Sequence, residues 1–153
     1  MKKITRAISA GMAALAFSMS AYAALGGNAA TASADAAAMN GALTTTQKAG
    51  YSIDQFTTPA NTRVREYIAP NGIVFGVTWK GPQLPDLSQL LGAYSASIKN
   101  QVTVSRRLGV GISAASVQAD GAEMFSAGHM GHFRGRAYLP ASVPAGVTEK
   151  IIR

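Results

Sequence analysis

The sequence predicts a small α+β domain: an antiparallel sheet packed on a single amphipathic helix, in the order ββ(β)–α–βββ. Three observations carry this. Runs of β-branched and aromatic residues flank Ala69-Pro70-Asn71-Gly72, a hairpin signal. Leu87, Leu90, Leu91, Tyr94 and Ile98 recur on one face at helical spacing. From Val117 onward short extended runs return, separated by glycine-containing turns.

The chain opens on a segment of another kind. Lys2, Lys3 and Arg6 precede an uncharged stretch, Ala7–Met19, and Ala21 and Ala23 stand at the −3 and −1 positions of an A-x-A site. That is the layout of a secretory signal peptide, residues 1–23, cleaved after Ala23. The uncharged stretch is shorter than the roughly 20 residues a membrane-spanning helix needs. No later apolar run reaches that length, so no transmembrane span is expected after cleavage. Residues 24–49 are dominated by Ala, Gly, Thr, Ser and Asn, with Asp35 their one acid. Such a composition buries too little apolar surface to offset its ordering entropy and reads as a flexible low-complexity tether. The alternative is a partly helical run at Thr31–Met39, because alanine favours helix.

A single α+β domain is expected over residues 50–146. Tyr51–Phe56 reads as a short strand. In the hairpin formed by Thr62–Ile68 and Ile73–Lys80, two registers compete. A two-residue Asn71-Gly72 loop pairs Pro70 with Ile73, yet Pro70 has no N–H for that bond. A three-residue loop places Pro70 and Asn71 at the centre of a type I turn and Gly72 in the left-handed bulge position, and is favoured. It pairs Tyr67 with Phe75, Arg65 with Val77 and Arg63 with Trp79. One face then carries Tyr67, Phe75, Val77 and Trp79, with the arginines at its far end.

Gly81-Pro82 and Pro85 end that strand. Asp86 caps a helix running from Leu87 to Asn100, with Gln89 at capping-box spacing. Gln101–Ser116 is ambiguous. Asp120-Gly121 and Ala127-Gly128 read as turns around a short strand, Glu123–Ser126. The last strand, His129–Leu139, puts His129, Gly131, Phe133, Gly135, Ala137 and Leu139 on one face. Met130, His132, Arg134, Arg136 and Tyr138 take the other. The first face has few side chains and is expected to receive the helix stripe. Residues 147–153 form a C-terminal tail.

Charge and cysteine content narrow the function. Cleavage after Ala23 leaves 11 basic and 7 acidic residues, a net +4. This favours anionic surfaces weakly. An exported chain whose basic residues form no dense run is not expected to bind nucleic acid. Cysteine is absent, so the exported domain is held by its core alone, and no lipid is carried on a mature N-terminal cysteine. A periplasmic or secreted location follows, either as a free protein or as a subunit of an envelope assembly.

No constellation marks a reaction. His129 and His132 form H-x-x-H, but on one strand that spacing points the rings to opposite faces, and nearby acids to complete a metal site are lacking. No metal and no cofactor are expected. Gly109-Val-Gly111 lacks the third glycine of a dinucleotide fingerprint. There is no Gly-x-Ser-x-Gly, although His129 with Asp120 or Glu123 offers the outline of a base and its orienting acid. Trp79 reads as core, with Arg63 in reach for stacking. The remaining candidates are two arginine pairs at strand spacing, Arg63 with Arg65 and Arg134 with Arg136. On one side of a sheet they make a four-arginine patch for an anionic polymer. On opposite sides each pair is merely solvated.

The set Ala24-Leu-Gly-Gly, Val64-Arg-Glu-Tyr67, Val74-Phe75, Gly81-Pro82, Pro85-Asp-Leu, Gly128-His-Met130 and Gly135-Arg-Ala-Tyr-Leu-Pro140 resembles an exported proteobacterial family, the domain of unknown function DUF2844. The resemblance implies a Gram-negative envelope protein and carries over no catalytic or binding residue. Gly131-His132 departs from the basic and apolar residues expected after Gly-His-Met, which marks His132 as incidental. The expected function is that of a non-catalytic envelope binding or accessory module, with an envelope protein or an anionic polymer as partner. The alternative is a small periplasmic hydrolase using His129 as base.

Overall fold

The computed structural model describes residues 25–107 and 114–153. The expected signal peptide and Gly109-Val-Gly111 lie outside the described residues. The hairpin at Pro70-Asn71-Gly72 occupies the middle of the fold. The Gly72 N–H donates to the Ala69 carbonyl at 2.8 Å, the Ala69 N–H to the Ile73 carbonyl at 2.9 Å, and Gly72 takes a left-handed φ of 81°. This is the favoured three-residue loop.

Its strands, β3 (Arg63–Ile68) and β4 (Val74–Gly81), belong to one seven-stranded antiparallel sheet. The others are β1 (Thr44–Lys48), β2 (Tyr51–Thr57), β5 (Ala114–Ala119), β6 (Ala122–His129) and β7 (His132–Tyr138). Their order across the sheet is β1-β2-β3-β4-β7-β6-β5. The strands before the main helix and those after it thus form two blocks joined edge to edge through β4 and β7, and the fold is α+β.

The register of the central hairpin departs from expectation by one residue. Ile68 pairs with Val74, but Tyr67 pairs with Gly76, leaving Phe75 as the extra residue of a β-bulge. Beyond the bulge Arg65 pairs with Thr78 and Arg63 with Lys80, rather than with Val77 and Trp79. A one-residue slip exchanges the faces of every later residue. Val77 and Trp79 therefore join the helix-side core, whereas Phe75 stays with Tyr67 on the other face. Trp79 is core, as expected, and Arg63 stands on the opposite side of the sheet from it.

Asp86 caps α2 (Leu87–Leu91), accepting from the N–H groups of Ser88 at 2.8 Å and Gln89 at 3.3 Å. Gln89 does not close a capping box; its side-chain amide donates to Asp35 at 2.9 Å. The helix is not continuous. Gly92 takes a φ of 50°, which glycine adopts without a side-chain clash, and a 3₁₀ turn at Gly92–Tyr94 leads into α3 (Ser95–Arg107). The apolar stripe still reaches its target: Leu90, Leu91 and Ile98 are buried with Ala137 and Leu139. A Cβ on Gly135 would lie 2.2 Å from the Trp79 ring, so the indole fills the space that glycine leaves.

The closing hairpin is also displaced from expectation. The strand does not break at Ala127-Gly128. β6 runs through to His129, and the turn is Met130-Gly131, with Gly131 at a left-handed φ of 84°. Gly128 serves close approach instead: a Cβ there would sit 2.4 Å from the His132 carbonyl oxygen.

The segment expected to be a flexible tether is stitched to the domain. Leu25 donates to Leu90 O at 3.0 Å, Gly26 to Val74 O at 2.8 Å, and Val74 to Gly27 O at 2.9 Å. The helical alternative within it is what forms, as a 3₁₀ turn, Ala29–Thr31, and α1 (Ala32–Ala38). Ala32 and Ala36 are buried because small side chains allow close packing, and β1 completes the segment as an edge strand. The C-terminal tail packs too. Val143, Val147, Ile151 and Ile152 cover Tyr67, Phe75 and Tyr138 on the face away from the helices.

A cationic face left open by the tail

Paired residues on neighbouring strands share a face. Across β3, β4 and β7 the pairings align Arg63, Lys80 and Arg134 in one row. They align Arg65, Thr78 and Arg136 in the next. Neighbouring strands stand about 4.8 Å apart, and the rows are about 6.6–6.8 Å apart along the strands. All four sequence-predicted arginines therefore lie on one side of the sheet, opposite the helices. Lys80 joins them. It escaped the sequence reading because its place beside Arg63 depends on the bulge at Phe75.

These side chains line two adjoining concavities. One of about 460 Å³ is walled by Arg63, Arg65, Arg134, Arg136, Ile152 and Arg153. The other, of about 800 Å³, continues from Arg63, Lys80 and Arg134 to His129 and His132. Arg63, Lys80 and Arg134 are exposed, and Arg65 and Arg136 half-buried. Arg65 is held by Nε donating to Gln55 at 2.8 Å and Nη1 to the Arg153 carbonyl at 3.1 Å. The Arg136 guanidinium lies 5.8 Å from the centroid of the Tyr138 ring. Among the described residues, no Asp or Glu side chain forms an ion pair with any of the five cations.

The tail sets the boundary of this face. Tyr67 Oη donates to the Arg153 carbonyl at 2.9 Å and accepts from the Arg153 N–H at 3.2 Å. A Cβ on Gly76 would meet Ile152 at 3.1 Å, so the isoleucine seats directly on the glycine. Behind this wall the aromatic half of the face is covered: Tyr51, Tyr67 and Phe75 have ring centroids 6.2–6.4 Å apart. Tyr138 donates to Glu123 at 2.6 Å, and this bond to a carboxylate pushes the phenol up to about 12. Glu123, the acid nearest the cationic rows along β6, is thereby engaged elsewhere.

The histidines are placed differently from expectation. They do not point to opposite faces, because the Met130-Gly131 turn folds one strand onto the next and pairs His129 with His132. Their ring centroids are 5.2 Å apart, and both are exposed. His129 Nδ1 sits 3.2 Å from the Met130 carbonyl oxygen. No group of three or more His, Cys, Asp or Glu among the described residues is placed to hold a metal ion.

A second polar cluster lies on the helix side. Asp35 on α1, Asp54 on β2 and Glu66 on β3 are all buried, and Asp54 pairs with Glu66 across the strands. Both Glu66 carboxyl oxygens, one of Asp54 and one of Asp35 have no hydrogen-bond partner among the described residues. Burial, reinforced by Asp35 and Asp54, pushes Glu66 up to about 9, and burial raises Asp35 as well. At neutral pH Glu66 is thus a neutral acid inside the core.

Residues 21–152 match the family described as Protein of unknown function, DUF2844. The chain belongs to the DUF2844 family. No curated protein and no solved structure matches it. The match takes in β1 to β7, both helix-side and tail-side cores, and every residue of the cationic face except Arg153. No helix among the described residues of this DUF2844 chain is long and apolar enough to cross a membrane.

Proposed function

We propose that this protein is an exported, non-catalytic envelope module that binds an anionic polymer through Arg63, Arg65, Lys80, Arg134 and Arg136. One observation carries the reading: five cations stand in two rows on one open face, and among the described residues no Asp or Glu side chain is paired to them. Guanidinium groups stay charged at every physiological pH and present paired donors to phosphate, sulfate or carboxylate groups. The spacing of the rows suits successive charged groups along a chain better than a single ion. Export rests on the signal-peptide layout of residues 1–23. Leu25, the first described residue past Ala23, already lies in the core, so cleavage there removes no described packing residue.

The hydrolase alternative needs an acid to orient His129 and a nucleophile beside it. Among the described residues the polar contact of His129 is the Met130 backbone, and its ring neighbour is His132. The binding reading is tested by retention on a sulfated matrix. The Arg134→Ala/Arg136→Ala variant should elute at markedly lower salt than the parent chain. Equal retention of the two removes the reading. Export is tested by sequencing the protein recovered from the periplasm, which should begin at Ala24.

A further inference from the structure

The histidine pair extends the cationic face past its last row. Along β7, His132, Arg134 and Arg136 alternate onto the same side as Arg63, Lys80 and Arg65. His129 joins them from β6 through its pairing with His132. Both rings line the cavity of about 800 Å³ together with Arg63, Lys80 and Arg134. The far end of the face is walled by Ile152 and Arg153, so the hairpin end is its open end. The charged groups facing the pair are Arg63 from β3, Lys80 from β4 and Arg134 from β7; Asn61, before β3, is neutral. Among the described residues, no carboxylate lines the cavity.

Histidine is the side chain that gains charge between pH 5 and 8. A charge gained by either ring stands on the same face as Arg63, Lys80 and Arg134, where an arriving polyanion meets it. From this geometry we infer that His129 and His132 form an acid-strengthened mouth of the anion-binding face, adding a third row of positive charge when the surroundings turn mildly acidic. This rests on the anion-binding reading above. Acid tightens binding, and by linkage binding takes up protons.

The test measures affinity of the mature chain for sulfated dextran at pH 5.5 and pH 8, at fixed ionic strength. Sulfate esters keep their charge over this range, so any change belongs to the protein. Binding should be roughly 3- to 10-fold tighter at pH 5.5, the size expected of two exposed charge contacts. The ratio between the two pH values should fall to about one in His129→Asn/His132→Asn. Both side chains are exposed at a hairpin tip, and circular dichroism checks that the variant stays folded. Calorimetry of the parent chain at pH 6, in buffers of different ionisation enthalpy, should register proton uptake without any mutation. A flat pH profile with binding intact overturns the histidine inference and leaves the arginine reading standing. A pH ratio that survives in the double variant overturns it equally. Absence of binding at both pH values fells both readings.

Discussion

The two faces of this sheet handle charge in opposite ways. The helix-side face is sealed by α1, α2, α3 and the chain around Leu25, yet it encloses three carboxyl groups with no cation paired to them among the described residues. The tail-side face is covered over its aromatic half only, and its open half collects five cations with no Asp or Glu side chain among the described residues paired to them. Burial answers the first arrangement by keeping Glu66 protonated. Water answers the second by solvating the guanidinium groups. One face spends its polar groups inside the fold, and the other leaves them available to a partner. Stability should therefore respond to changes on the helix side, and binding to changes on the arginine side.

The sharpest way to break that contrast is to thin the sealed face. Leu91→Ala removes a side chain 1 % exposed from the stripe that meets Ala137 and Leu139. It should lower the unfolding free energy by about 2–5 kcal/mol in chemical denaturation. A negligible change would mean that the helix does not close this face.

The buried acids come next. Glu66 keeps its proton up to about 9 in the folded chain, whereas an unfolded glutamate loses it near 4.5. Between those values the folded state holds more protons than the unfolded one, so stability falls as pH rises from about 4.5 to about 9. The slope for one such group approaches about 1.4 kcal/mol per pH unit. Denaturation midpoints measured from pH 5 to pH 8 should decline, and Glu66→Gln should flatten the decline. A midpoint that climbs toward pH 8 contradicts a neutral Glu66.

The smallest expected stability effect is on the open face. Arg134→Ala/Arg136→Ala should change the unfolding free energy by no more than about 0.5 kcal/mol, as surface substitutions do, while weakening retention on the sulfated matrix. A large loss of stability would assign these arginines to the fold rather than to a ligand.

The difference between the faces also explains what could be read in advance. Patterns that act locally were legible: the Pro70-Asn71-Gly72 loop, the Asp86 cap and the Leu90–Leu91–Ile98 stripe all depend on residues a few positions apart. The four arginines were legible as candidates from their alternation, though not their common side. The Ala-rich segment was misread as a tether because composition measures average apolarity, whereas Ala32 and Ala36 are buried through close approach and Leu25 through backbone bonds to Leu90. His129 and His132 were misread because a turn at Met130-Gly131, signalled only by Gly131, turns three positions along the chain into a facing pair.

The α+β class, the central hairpin and the apolar helix stripe between two groups of strands were thus determined by the sequence itself, since helix and strand periods express the geometry of the backbone. What the tertiary structure alone decided was which side each residue serves. The bulge at Phe75 adds one residue to β4, and because strand side chains alternate with a period of two, that residue sends Trp79 inward to lie over Gly135 and sets Lys80 beside Arg63 and Arg134. No local pattern records it. At the bulge Phe75 packs against Tyr67 and Tyr51, under a tail that returns from far along the chain to cover them.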